Sequence, residues 1–339
     1  MADIEKRYGP HPNDRDALTR KCRLLQSWYR VEVLKEERCG PWCKGGRCVG
    51  NVLVDGEQTG ANFISPAAFA CAREKVAEKQ ANPDLLIDEY RLFNNMLSSM
   101  PLCFNLFADL RSGVSDGSPN ATVVLAAMFP QSLMASVQSV EIEMIPRPTR
   151  TYIDDKTAFD AAVLFTDESG QPGLAAIETK YSDKLGGNRA TRQKRKFELA
   201  DELGLFTREG QEWYGAKGFD QVARNLLLTL AYARRHQIQN AVNYVLAPAE
   251  DAVGRRVVEA IQQRLTKPYR RRITWLPLET VVQLGLAVAE GVLATHLKRF
   301  RDRYLDFRPV GQLGRPRSRP AKKSRQRQNS SRESRKTDA

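Results

Sequence analysis

The sequence predicts an α/β (α+β) protein: a central mixed sheet that contains a three-strand meander, helices on the faces of that sheet, and a helical N-terminal extension. Three observations predict it. Apolar residues recur at three- and four-residue steps through much of residues 16–100. Three short apolar runs then follow one another between residues 139 and 181. From residue 219 to residue 304 helical and strand-like periods alternate, the pattern of helices packed on a sheet.

Residues 16–35 place Leu18, Leu24, Leu25, Trp28, Val31 and Leu34 on one helical face. A loop rich in glycine and cysteine follows. Ser65 is a helix cap and Pro66 a first helical residue, which predicts a helix up to "ANPD". Residues 84–100 are again helical in period, and Pro101 should end or bend that helix before "LCFNLFADL". Residues 111–120, "RSGVSDGSPN", read as loop, and residues 122–138 as helix on either side of Pro130. "SVEIEMIP", "TAFDAAVLFTD" and "LAAIETKY" are the meander strands, and "ESGQPG" between the last two is turn chemistry. The polar stretch from residue 184 leads to a helix at 219–236, a strand in "NAVNYVLAPA", a helix at 249–266, a strand in "RITWLPL" and one long helix at 279–304. Three regions are expected: a helical extension over 1–82 packed on the core, a core over 83–308, and a disordered basic tail over 309–339.

Charge narrows the functional classes. The chain has 339 residues and a net charge of +13, of which residues 311–339 hold ten Lys/Arg against Glu333 and Asp338. Such a surplus attracts polyanions, nucleic acid before anionic membrane. No apolar run approaches the roughly 20 residues of a membrane span, and the charged N-terminal stretch lacks a signal peptide's apolar segment. A soluble cytoplasmic protein is the expectation. Six cysteines lie in the first third. With no secretion signal a disulfide framework is not expected. Cys39, Cys43 and Cys48 have a spacing that could wrap a metal, but the paired knuckles of ordinary zinc sites are missing, so free thiols in a loop are the preferred reading.

The chemistry concentrates in the meander. Residues two apart on a strand share a face, so Glu178 and Lys180 project together while Ile177 and Thr179 point the other way. A hairpin closing at "ESGQPG" can bring Asp160 beside Glu178. Two adjacent carboxylates in an apolar setting repel unless a cation lies between them. Mg²⁺ accepts one or two carboxylates together with water and phosphate oxygens, and a nearby lysine can neutralise charge developing on a phosphate. The same three residues could instead form only an ion pair.

These residues carry a resemblance. "AFD" at 158–160 followed by "IETK" at 177–180 resembles the D-x(n)-E-x-K signature of the PD-(D/E)XK nuclease superfamily. "NNMLSSMPLCFNLF" at 94–107, with "YIDDKTAFD" and "IETKYSD", is similar to a restriction-endonuclease-like bacterial branch of that superfamily. The proline of the formal motif is replaced by Phe159. The resemblance implies a restriction-endonuclease-like core and a Mg²⁺-dependent nuclease, with Mn²⁺ as a substitute, acting on nucleic acid and on DNA rather than RNA. Asp160 and Glu178 would hold the metal, and Lys180 would orient or activate the attacking water. A further acid from the helix before the sheet is assigned to Glu89, with Glu143 and Asp155 as alternatives. Gln221, Arg224 and Asn225, on one face of the 219–236 helix, would touch substrate or cap the lysine. A homodimer would let both strands be cut, and a non-catalytic nucleic-acid-binding protein on the same scaffold is the alternative function.

Other motifs carry less. "GVSDG" at 113–117 fits G-x-S-x-G without the strand that presents a nucleophilic serine. His11, His236 and His296 have no metal spacing, and no phosphate-binding loop of the Gly-x4-Gly-Lys-Ser/Thr type occurs.

Overall fold

A computed structural model describes residues 2–313 apart from residues 15, 44, 83, 184, 186–192 and 312. The tail expected to be disordered lies almost wholly outside the described residues, as does much of the polar stretch after Asp183.

The N-terminal part is helical. Helix α1 (Ala2–Tyr8) precedes α2 (Ala17–Trp28), which Asp16 caps and which continues as a wider turn over Tyr29–Val33. Next come the short α3 (Gly56–Thr59) and α4 (Pro66–Ala81), whose cap is Ser65 and whose first residue is Pro66. The helix expected over 84–100 is instead two. Asp88 caps α5 (Glu89–Asn94), the backbone opens at Asn95, and Ser98 caps α6 (Ser99–Ser115). Pro101 therefore starts a helix rather than ending one, because first-turn amides have no helical acceptor to lose. The loop read over 111–120 is also mostly helix. Gly113 lets α6 approach α7 (Pro119–Met128), since a Cβ there would sit 3.0 Å from the Ala121 Cβ.

The sheet has five strands in the order β1-β2-β3-β4-β5. Strand β1 (Met134–Met144) begins five residues before the expected "SVEIEMIP", because its polar half lies along the edge of the sheet, where serine and glutamine reach water. It pairs antiparallel with β2 (Phe159–Asp167), and β2 with β3 (Pro172–Thr179), which is the expected meander. The β2–β3 turn is held by the Asp167 carboxylate, which accepts hydrogen bonds from the amides of Ser169 and Gln171. Two helices absent from the sequence reading, α8 (Lys194–Glu202) and α9 (Arg208–Lys217), come before α10 (Gln221–Arg235) and return the chain to β4 (Asn240–Ala247), parallel to β3. Helix α11 (Ala252–Arg264) leads to β5 (Ile273–Pro277), parallel to β4. The single closing helix is in fact α12 (Leu278–Val288) and α13 (Gly291–Tyr304), divided where Gly291 takes φ +54°.

Apolar cores lie on both faces of the sheet. On one, Phe104, Phe107, Leu125, Ile142, Ala161, Ile177 and Phe300 are buried with Cys22 and Ala68 of the N-terminal helices. On the other, Leu174, Ala176, Leu226, Leu227, Val245 and Val258 pack together. Burying a side chain of this size contributes roughly 1.5–3 kcal/mol. The two cores hold β3 rigidly between them, which fixes the end of the sheet that bears Glu178.

The cysteine reading needs a correction. Cys39 and Cys48 are joined in a disulfide with Cα atoms 5.8 Å apart, while Cys43 is free and exposed. Pro41 and Cys48 form a β-bridge that brings the two ends of the loop together, so the pairing follows from backbone closure rather than from spacing.

Candidate active site

Register builds the site. Ile142 faces Ala161 and Met144 faces Phe159, so Glu143 on β1 stands level with Asp160 on β2. Ala161 faces Ile177, so Asp160 stands level with Glu178 on β3. Three carboxyl groups therefore form a row across three strands at one end of the sheet, and Lys180 lies two residues beyond Glu178. Glu143 has φ +51°, a left-handed conformation that costs a residue with a Cβ roughly 1–3 kcal/mol. The face alternation breaks there: Ile142 belongs to the α6 side, whereas Met144 packs on the α10 side.

Glu178, Lys180 and Asp160 are each held by identifiable partners. Lys180 Nζ lies 2.5 Å from Glu178 Oε1, and both side chains are buried. Gln221 Nε2 donates to Glu178 Oε1 at 2.7 Å, and Asn225 Nδ2 donates to Glu178 Oε2. Asp160 Oδ2 accepts from the Thr179 amide at 2.7 Å and from Thr179 Oγ1 at 2.9 Å. Among the described residues Asp160 Oδ1 accepts no hydrogen bond.

The electrostatics follow from this crowding. Burial pushes the Glu143 carboxyl up to about 8, with Asp160 and then Glu178 adding to the shift. Burial followed by the charge of Glu178 pushes Asp160 up to about 7. Burial alone would lower the Lys180 amine, but Glu178 and Asp160 outweigh it and hold the amine above its ordinary range, so Lys180 is charged.

Sequence-predicted residues are distributed unevenly around this site. Asp160, Glu178 and Lys180 come together, and Glu143 joins them. Gln221 and Asn225 bond Glu178 rather than the lysine. Glu89 heads α5 and pairs with Lys79 at 2.8 Å, with no described contact to the row. Asp155 pairs with Lys196 and, at 3.5 Å, with Arg224. Two residues escaped the sequence reading. Thr179 fixes Asp160 from the position between Glu178 and Lys180, and Ser99 lies on the far side of that threonine, whose Oγ1 is 3.5 Å from the Ser99 carbonyl oxygen. A threonine between two charged strand residues was the only signal available for the first.

A family model described as the PD-(D/E)XK nuclease superfamily matches residues 12–306. The chain belongs to the PD-(D/E)XK nuclease superfamily. The mixed five-strand sheet flanked by helices agrees with the restriction-endonuclease-like fold of that superfamily, and membership points to a nuclease-type, hydrolytic function on nucleic acid. PD-(D/E)XK nucleases typically use divalent metals. No curated protein and no solved structure matched the chain. No helix among the described residues is long and apolar enough to cross a membrane.

The donor set suits a hard divalent cation of low protein-ligand number. Among the described residues no three His, Cys, Asp or Glu side chains already converge as metal ligands. Mg²⁺ requires only one or two carboxylates, with water and phosphate oxygens completing its octahedron. The uncommitted Asp160 Oδ1 offers one ligand. Among the described residues Glu178 Oε2 accepts one hydrogen bond, which leaves a second lone pair. Burial and mutual repulsion hold the Glu143 and Asp160 carboxyls above the usual carboxylate range, and a divalent ion bound there would favour their charged forms.

Proposed function

We propose that this PD-(D/E)XK protein is a Mg²⁺-dependent nuclease that hydrolyses phosphodiester bonds in DNA, with Mn²⁺ able to substitute. The carrying observation is the row of Glu143, Asp160 and Glu178 with Lys180 beside it at one end of the sheet. Asp160 and Glu178 are the metal-holding residues of this reading, and Glu143 rather than Glu89 is the third acid, because Glu89 is engaged with Lys79. When bound, a divalent cation supplies charge that polarises a phosphoryl oxygen and acidifies water.

The chain's own groups do the positioning. Thr179 holds Asp160 by two hydrogen bonds from one residue, which leaves the other carboxylate oxygen available. Gln221 and Asn225 hold Glu178 from α10, so its orientation does not depend on Lys180 alone. Lys180 is protonated beside two carboxylates. It acts as a donor that orients water and stabilises charge growing on the phosphate, rather than as a proton acceptor. The basic surplus supports a polyanionic substrate, whose binding would weaken with salt.

The direct test is a panel of Mg²⁺, Mn²⁺ and Ca²⁺ on supercoiled, linear and single-stranded DNA and on RNA, with Lys180→Ala as control. Cleavage of DNA by the wild type in Mg²⁺ or Mn²⁺, lost in the variant, is expected. One observation favours a second reading, a non-catalytic nucleic-acid-binding protein: Glu178 is already neutralised by Lys180 at 2.5 Å. Binding of DNA with no cleavage in any metal would select it.

A further inference from the structure

A cavity of about 570 Å³ opens between the N-terminal helices and the segment that follows Lys180. Ser182 and Asp183, two and three residues past the lysine, line one side; Arg91 and Asn95, around α5, line another. The third wall is the loop closed by Cys39–Cys48, which presents Trp42 beside Tyr90. A cavity of this size falls within the range of small-molecule sites, about 300–1,000 Å³.

We propose that this cavity receives an unpaired nucleobase of the substrate, with Trp42 as its stacking platform.

Four features carry the inference. Trp42 is 49% exposed and lines the cavity, so part of its ring is open to a ligand. It is nevertheless held in place: its amide donates to the Arg47 carbonyl at 2.8 Å, and the Arg23 guanidinium lies 5.6 Å from its ring centre. The neighbouring Pro41 carbonyl accepts from the Tyr90 hydroxyl, which ties the loop to α5. A platform fixed in advance loses little entropy when a base stacks on it.

The charge of the cavity selects a base over a phosphate. Its charged lining residues are Arg23 and Arg91 against Asp88 and Asp183, which balance. Both arginines are already committed, Arg23 to Asp14 and Arg91 to Asp183 at 2.9 Å. Neither is free to clamp a phosphate, so the cavity draws on a ligand through its rings and through polar edges such as Asn95. A flat, neutral, hydrogen-bonding ring on an otherwise anionic chain has that chemistry. The position agrees: a base entering here would belong to a nucleotide near the one whose phosphate reaches Lys180.

This inference rests on the nuclease reading, and the test separates the two. The measurement is fluorescence anisotropy of a short single-stranded oligodeoxynucleotide and of its fully paired duplex, binding to the full chain in EDTA so that nothing is cut. Trp42→Ala is expected to weaken single-strand binding by roughly 5- to 150-fold, the worth of one aromatic–base stack, and duplex binding by much less. Trp42→Phe keeps a ring and should recover most of the loss. Circular dichroism and Tm equal to wild type would show that the loop change has not unfolded the protein. Equal weakening of both ligands, or none, would overturn the nucleobase pocket while leaving the nuclease reading intact. So would binding of an unstructured peptide in place of the oligonucleotide. Absence of any nucleic-acid binding by the wild type would overturn both.

Discussion

Glu143 on β1 stands level with Asp160 on β2, and the Asp160 carboxylate helps to keep the Glu143 carboxyl protonated near neutral pH. The consequence is a stability that falls as pH rises. Both groups have folded-state values, about 8 and about 7, above their ordinary 4.5 and 3.8. The unfolded chain thus releases these protons at lower pH than the folded one. Their contribution is fully present below about pH 4 and is lost as pH climbs through 7 to 8. In EDTA, Tm should decline over that window, and saturating Mn²⁺ should remove most of the decline. A Tm insensitive both to pH between 5 and 8 and to Mn²⁺ would contradict the row as a metal-binding unit.

Lys180 and Glu178 should separate stability from catalysis. Lys180→Ala leaves Glu178 buried without its cation, and breaking a buried pair costs about 3–5 kcal/mol. The single variant should lose both cleavage and urea resistance. Adding Glu178→Gln removes the orphaned charge, so the double variant should regain much of the stability and none of the activity. Recovery of cleavage in the double variant would argue against a catalytic role for either side chain.

Asn225 and Gln221 both donate to Glu178, so under the proposed function their effect on cleavage passes through it. Hydrogen bonds to a charged group are worth about 1.5–3 kcal/mol. Asn225→Ala should lower kcat by roughly tenfold or more with KM little changed, because substrate binding does not depend on it, and Gln221→Ala should do so to a smaller degree. Single-turnover kinetics would check this. An effect confined to KM would place these residues against substrate instead.

Glu89 and Glu143 make opposite forecasts. Glu89 is 43% exposed and paired with Lys79 on the surface, an interaction worth about 0–1 kcal/mol. Glu89→Gln should leave Mn²⁺ affinity by calorimetry and cleavage rate near wild type. Glu143→Gln should weaken Mn²⁺ binding severalfold. The reverse order would return the third acid to the helix.

Local chemistry made part of this site legible. Strand alternation with a Gly-Pro-containing turn was enough to align Asp160, Glu178 and Lys180, because a period of two and a hairpin leave little freedom in register. Glu143 could be considered but not preferred, since its level depends on pairing across β1 and on a positive φ that a glutamate does not advertise. Pro101 misled for the opposite reason: its meaning depends on whether Ser98, three residues earlier, acts as a cap. The division of the last helix at Gly291 and the pairing of Cys39 with Cys48 are set by packing and loop closure. Three cysteines at given spacings do not say which two will meet.

Tyr181 follows Lys180 immediately, and its hydroxyl donates to the carbonyl of Tyr304 at 3.0 Å and accepts from Gln26 at 3.2 Å. Gln26 in turn donates to the carbonyl of Arg303 at 2.9 Å. The residue next to Lys180 is thus pinned between α2 and α13. Gln26 and Arg303 are 277 positions apart, so this contact exists only when α13 has packed on α2. The strands that carry the carboxylates are complete at Thr179, but the pin needs a helix more than a hundred positions further on, so the residue next to Lys180 takes its final place only when α13 docks on α2.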